Sequence, residues 1–299
     1  MRAALVFTPD ARFFRPALQT AAWALAWEDV EVVFTCEAAD IPADYHQLPR
    51  ELTGRITILT ADFGKLTGGL EGHGNFSPAV FRRLLLHKVL PGHFERIVPM
   101  DADMFVGGPG LKRLMGLDLK GHVLGAALDM IRLMDMKGGA LAEKFRAYRA
   151  GLGLAPEDAY FNNGLTVMDR ARWEDGEWGE RALDFIRRHP EKTPFLDQSA
   201  LNHLLRGRWA AFSPRANFMG DFHSLDLEAE IRPFIWHFVN SPKPWSPDYR
   251  GDARFAALYA GGDLTPRRVR LPPRAPGADD AGFRARLLEF LSRQSFLDL

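Results

Sequence analysis

The chain is predicted to adopt an α/β fold. Strand-like and helix-like runs alternate through about the first hundred residues, the run Val30 to Cys36 is rich in β-branched residues, and loop signals such as Pro9-Asp10 and Gly68-Gly69 lie between them. Met1 to Phe7 reads as the first strand. It carries one positive charge, and Pro9-Asp10 stops it well before signal-peptide or membrane-span length. Leu18 to Trp27 follows as a helix, Val30 to Cys36 as the second strand and Ile56 to Leu59 as the third. Phe81 to Leu90 reads as a helix and Arg96 to Met100 as the fourth strand, which completes a nucleotide-binding α/β half. No Gly-x-Gly-x-x-Gly follows the first strand, which argues against a dinucleotide oxidoreductase.

Beyond this half, Val123 to Leu128 forms another buried strand ending at Asp129, and Met130 to Leu154 is helical in composition. That segment reads either as a packing excursion or as a flexible cover hinged at Gly138-Gly139 and Gly151 to Gly153, since methionine-rich surfaces adapt to ligands. The stretch 206 to 233 has scattered aromatics and no periodicity. From Thr265 the tail carries Arg267, Arg268, Arg270 and Arg274 among prolines, then an amphipathic helix from Phe283 to Phe296. It reads either as an attachment to an anionic membrane face or as a solvated helix packing back on the domain.

Lys plus Arg equals Asp plus Glu at 38 each, so no global field draws in nucleic acid or an anionic membrane. A single cysteine, Cys36, excludes an internal disulfide and a cysteine zinc cluster and fits a reducing, cytoplasmic compartment.

Four segments carry chemistry. Asp101-Ala102-Asp103 directly follows the apolar run Ile97 to Met100; in an extended segment residues two apart share a side, so both carboxylates can face one hard cation. The alternative is an acidic loop closing a strand. Tyr160 to Asp169 is an apolar strand entered through Asn162, Asn163 and Gly164, where paired amides suit a hydroxyl-rich ligand and an Asn-Gly turn is the bland reading. Asp197-Gln198 precedes the apolar pattern of a helix, where Asp197 could serve as an N-cap while Gln198 stays unexplained. Finally, Phe234 to Trp245 opens as a buried strand bearing His237, which taken alone reads as a core histidine, and runs on to Lys243 held between two prolines; the pair suits an imidazole metal ligand and an ammonium for phosphate.

In order and content these segments, over residues 4 to 245, resemble glycosyltransferase family 8, the retaining, metal-dependent sugar transferases. Ser77 to Leu84 is similar to that family's helix with an Arg near the nucleotide sugar, which places Arg83 in that role. Arg96 to Asp103 looks like its strand ending in Asp-x-Asp. Tyr160 to Gly164, Asp197-Gln198, and His237 with Lys243-Pro244-Trp245 match its later motifs. The resemblance implies a GT-A fold, Rossmann-like, with a mixed central sheet and helices on both faces, spanning residues 1–263, with residues 264–299 as an appended basic segment and helix. It implies Mn²⁺ or Mg²⁺ on Asp101, Asp103 and His237, and donor contacts from Asp10, Phe13, Arg83, Ala102, Asp129, Asn162, Asn163 and Lys243. Asp197 and Gln198 are the implied groups at the anomeric carbon.

The family's first loop is Asp-Asp-Asn-Tyr-like. Here Thr8 to Phe13 keeps Asp10 but has Arg12 for an amide and Phe13 for the base-stacking Tyr. The implied partners are a nucleotide diphosphate sugar, UDP-linked in this family, and a glycan or lipid-linked acceptor, with the tail at the inner membrane face if it attaches there. The competing readings are a non-catalytic carbohydrate-binding scaffold and a nucleotidyltransferase, though Thr8 to Phe13 is not the Gly-rich, basic loop the latter needs.

Overall fold

The computed structural model describes residues 1–74, 76–273 and 280–299; Arg274 of the basic tail lies outside them. A seven-stranded sheet forms the centre, built from β1 (Ala3–Phe7), β2 (Val32–Cys36), β3 (Ile56–Thr60), β4 (Arg96–Pro99), β6 (Leu124–Leu128), β7 (Phe161–Asp169) and β8 (Trp209–Ala211), in the order β3-β2-β1-β4-β7-β6-β8. The first four are mutually parallel, with Leu5 opposite Val32 on one side and Val98 on the other. β7 then runs antiparallel to β4 and β6, so the sheet is mixed. A smaller sheet, β5-β10-β9, joins Met104–Val106, Ile235–His237 and Phe218–Met219.

All five residues of β2, and all of β1 after Ala3, are buried, as continuous apolar runs in a parallel sheet require. The first helix, Phe14–Trp27, begins four residues before the predicted Leu18 and buries Phe14 against Phe34, with ring centroids 5.4 Å apart. Trp23 meets Phe105 of β5 edge-on at 4.9 Å, which ties this helix to the second sheet.

The predicted helix Phe81 to Leu90 is instead a 3-10 stretch, Pro78–Leu85, followed by one α-turn, Leu86–Val89. Ser77 Oγ accepts the Ala79 N–H at its start. The segment Met130 to Leu154 breaks into three pieces, Met130–Leu133, Met134–Met136 and Gly139–Gly151, with the last two separated at Gly138, whose φ is 76°.

In the tail, the helix is Ala281–Ser292, and Phe283, Leu287 and Leu291 are buried in the main core. Its apolar face is therefore covered by the domain. Among the described residues no helix is long and apolar enough to cross a membrane.

Candidate functional site

The acidic triplet sits where the chain leaves one sheet for the other. β4 ends at Pro99, Met100 bridges to Leu165, and residues 101–103 form a bend rather than the extended segment expected from the sequence, before β5 begins at Met104. The convergence of the two carboxylates thus comes from the bend and its anchors, not from strand periodicity. Asp101 N–H donates to Gly164 O at 2.7 Å, and the Thr20 hydroxyl lies 2.9 Å from Ala102 O and 2.7 Å from Met104 O. Ala102 contributes backbone here, and its small side chain leaves the turn open.

β10 runs antiparallel to β5, with His237 opposite Met104, and this register delivers the imidazole to the bend. His237 Nε2 lies 3.6 Å from Asp101 Oδ2 and 3.4 Å from Asp103 Oδ1, and one ligand atom from each residue falls within 4.8 Å of the others. Asp101 keeps 29% of its side chain exposed, whereas Asp103 and His237 are buried, so the cluster is open on one side. Two hard carboxylates and one imidazole form a donor set suited to Mn²⁺ or Mg²⁺, the nitrogen favouring Mn²⁺.

Gly164 forms the floor of this cradle: a Cβ there would stand 2.3 Å from His237 Cε1 and 2.7 Å from Asp101 Oδ2. Gly164→Ala is therefore expected to push the three groups apart and to weaken Mn²⁺ binding by about 10²-fold, the scale of an ångström-level misplacement. Calorimetric titration of the variant checks this, and an unchanged affinity would remove the cluster from consideration as a cation site.

Cations from the protein flank the cluster. Lys243 Nζ bonds Asp103 Oδ2 at 2.6 Å and Phe238 O at 2.5 Å. Arg83, buried at the end of the 3-10 stretch, bonds Asp101 Oδ1 and Asn163 O and approaches Asp197 Oδ2 with its Nε at 3.4 Å. Burial alone would raise the Asp103 carboxyl, but Lys243 and His237 together hold it well below the usual carboxylate range. Burial also works against the Arg83 charge, and Asp101 and Asp197 overcome it and raise its pKa.

Behind Arg83 lies a polar wall built by β7 and the helix Leu196–Leu204. Asn163 and Gly164 lie inside the strand, not in an Asn-Gly turn. Asn163 Nδ2 donates to Asp197 Oδ2 at 2.7 Å, Asn163 N–H to Gln198 Oε1 at 2.9 Å, and Asn162 Nδ2 to Asp129 Oδ2 at 2.8 Å. Gln198 Nε2 lies 3.3 Å from Asp129 Oδ2 and 3.4 Å from Tyr160 Oη.

Asp197 is not the N-cap. The helix begins one residue earlier, at Leu196 with a left-handed φ of 43°, and Ser199 Oγ accepts the N–H of the capping Phe195 at 3.1 Å. Asp197 Oδ1 accepts the first-turn N–H of Gln198 at 2.9 Å while Oδ2 faces Arg83 and Asn163, and burial pushes the carboxyl up to about 6 against the pull of Arg83. Burial likewise raises Asp129, opposed by the Ile131, Asn162 and Gln198 donors.

Asp10 and Phe13 occupy the rim rather than the cluster. Asp10 Oδ1 accepts the Phe13 N–H at 3.0 Å, and Phe13 meets Trp245 edge-on at 5.9 Å, so the loop after β1 touches the loop that carries Lys243. On the other flank of His237 a cavity of about 370 Å³ is lined by Phe218, Gly220, Val239, Asn240 and Tyr249 among others.

The sequence reading missed Asn217. It is fully buried, its Nδ2 donates to Asn162 Oδ1 at 2.9 Å, and its Oδ1 lies 2.9 Å from His237 Nδ1. Its only signal in the sequence is an amide preceding the two-residue strand β9.

Comparison with known proteins agrees with this geometry. The model of "Glycosyl transferase family 8" matches residues 66–248, more than half of the chain. Glycosyltransferase GlyF of Streptococcus pneumoniae serotype 4 is 25% identical over 255 residues, 82% of this chain and 58% of that protein. Lipopolysaccharide 1,2-glucosyltransferase of Escherichia coli K12 is 27% identical over 187 residues, 57% of this chain and 50% of its own length, so the chain spans between half and three-fifths of these relatives. The crystal structure of the galactosyltransferase LgtC with donor and acceptor sugar analogues superposes with a TM-score of 0.67 at 22% identity, covering 85% of this chain and 94% of that one. With its acidic bend at the junction of the two sheets, its Asn-Asn-Gly strand and its Asp-Gln helix within or beside the matched span, the chain belongs to glycosyl transferase family 8 and has the GT-A fold of its structural neighbours.

Proposed function

We propose that the chain transfers a hexose from a nucleotide diphosphate sugar, a UDP-sugar, to a hydroxyl of a glycan or lipopolysaccharide acceptor, with retention at the anomeric carbon. One observation carries the reading: Asp101, Asp103 and His237 converge beside Lys243 and Arg83 at the carboxyl ends of β1 and β4, where the strand order switches direction and α/β sheets bind their ligands. A divalent cation on those three side chains, Mn²⁺ or Mg²⁺, would neutralise the charge of a departing diphosphate.

The remaining roles fall to the surrounding residues. Lys243 supplies a fixed positive charge beside the phosphates, and Phe13 offers an aromatic face to the base next to Asp10. Asp129, Asn162 and Asn163 take the sugar hydroxyls; Asn163 Oδ1 is buried with no hydrogen-bond partner, an acceptor suited to such a hydroxyl. Asp197 and Gln198 place oxygens where positive charge develops on the anomeric carbon. The aromatic-lined cavity beyond His237 is the space offered to the acceptor.

The test is incubation with a panel of nucleotide sugars in Mn²⁺ or EDTA, measuring nucleotide diphosphate release, with donor binding followed by calorimetry. Metal-dependent release from one donor is expected. If no donor binds or turns over, the transferase reading is wrong and the weight moves to a non-catalytic scaffold.

A further inference from the structure

The carboxamides around β7 can each be oriented from a group that can act in only one way. A backbone N–H can only donate, so the atom of Asn162 that meets Gly164 N at 3.0 Å is its oxygen, Oδ1. The atom of Asn217 that meets this same Oδ1 at 2.9 Å must then be its amide nitrogen. That leaves the Asn217 oxygen facing the His237 ring, 2.9 Å from Nδ1, and an oxygen there requires a proton on Nδ1. In the neutral ring Nε2 is therefore bare, and it is Nε2 that points between Asp101 and Asp103. A lone pair aimed at two carboxylates is repelled by them unless a metal ion or a proton on Nε2 lies between, so the polarity of this chain suits the neutral ring to holding a cation there.

We infer that Asn217 is the positioning residue of the site: through its contact with Asn162, the Gly164 backbone amide selects the His237 tautomer that presents Nε2 to the cation. The inference rests on the cation-dependent transferase reading given above, but its mechanism lies in the protein alone. Asn217 is fully buried and reaches the site from the link between a short 3-10 turn, Pro214–Ala216, and β9. β9 pairs with β10 in parallel, Met219 opposite His237, so the amide and the imidazole are held in fixed register by backbone hydrogen bonds. Asn162 also bonds Asp129, so the polarised chain runs on from the cation end of the site to the wall assigned to the sugar.

The test uses nitrogen NMR of histidine-labelled, metal-free protein at a pH where the ring is neutral, with the His237 signal identified by its loss in His237→Gln. Wild type is expected to show Nδ1 protonated and Nε2 bare. Asn217→Leu, which keeps the volume and loses both hydrogen bonds, is expected to give a mixed or reversed tautomer and to weaken Mn²⁺ binding by about 10- to 100-fold, the usual cost of losing a group that orients a metal-binding histidine. Asn217→Asp keeps an oxygen for Nδ1 and is expected to retain the wild-type tautomer; if the leucine variant does not fold, this variant decides.

A bare Nδ1 in wild type, an Asn217→Leu protein with wild-type tautomer and Mn²⁺ affinity, or a reversed tautomer in Asn217→Asp would each overturn the inference. Should wild type bind no Mn²⁺, the cation reading fails, and the tautomers still decide whether Asn217 sets the ring.

Discussion

Asp103→Ala is expected to abolish measurable Mn²⁺ binding and to lower donor turnover by about 10³-fold, because it removes one of two carboxylates that would share the cation and leaves the leaving diphosphate less neutralised. The carboxylate is buried and bonded to Lys243 Nζ at 2.6 Å with His237 Nε2 at 3.4 Å, so its loss strands an ammonium in a low-dielectric setting. Breaking such a pair from one side costs about 3–5 kcal/mol of stability. Lost activity could then reflect lost folding, which the double variant Asp103→Asn with Lys243→Gln separates. It removes the uncompensated charge, so its melting temperature should recover towards wild type while Mn²⁺ binding stays lost. Electron paramagnetic resonance of free Mn²⁺, read beside thermal melts, gives both quantities. Full turnover in the alanine variant would exclude Asp103 as a ligand.

The second large effect concerns Asp197. Burial pushes its carboxyl up to about 6 in the folded protein, against about 3.9 in an unfolded chain. Between these values the folded state keeps a proton that the unfolded state has released. The contribution to stability is therefore largest below about pH 4, declines as pH rises through about 6, and is constant above it. Activity should move the other way, since only the ionised group can face positive charge at the anomeric carbon. We expect kcat/KM to rise with pH through an apparent pKa near 6. Asn at this position should abolish that limb and cost about 10²- to 10³-fold in kcat. Opposite signs make the two effects separable in one pH series of rates and melts. A limb that persists unchanged in Asp197→Asn would assign it to another group.

Six strands of the large sheet were legible as apolar runs, whereas β8, three residues inside the aperiodic stretch 206 to 233, was not; Asp101 and Asp103 were legible because they stand two apart after such a run. Of the second sheet only β10 was legible, as the strand bearing His237, since β5 and β9 have three and two residues, too few to show any period. Phe81, Leu84 and Leu85 suit an α-helix and a 3-10 helix equally, so the sequence pattern chose the commoner one and the structure the tighter one. A cap was the bland reading of Asp197 because its residue type favours that position, but the capping residue is Phe195, and Asp197 stands inside the first turn, where it accepts the Gln198 N–H. Asn217 stayed hidden for a different reason. Its partners are 20 and 55 residues away, and one amide in an aperiodic stretch gives no local sign of either.

The tail has a consequence at the far end of the sheet. β8 is the last strand, and its outward carbonyl at Ala211 accepts the Leu297 N–H at 2.8 Å, with Phe212 and Leu297 forming a parallel bridge. An open strand edge is a template on which a second copy can add its own strand, and folds commonly blunt such edges with loops, charges or helices. Here Leu297, beyond the last helix, takes the backbone acceptor at the end of that edge, so this part of it is covered by the chain's own tail.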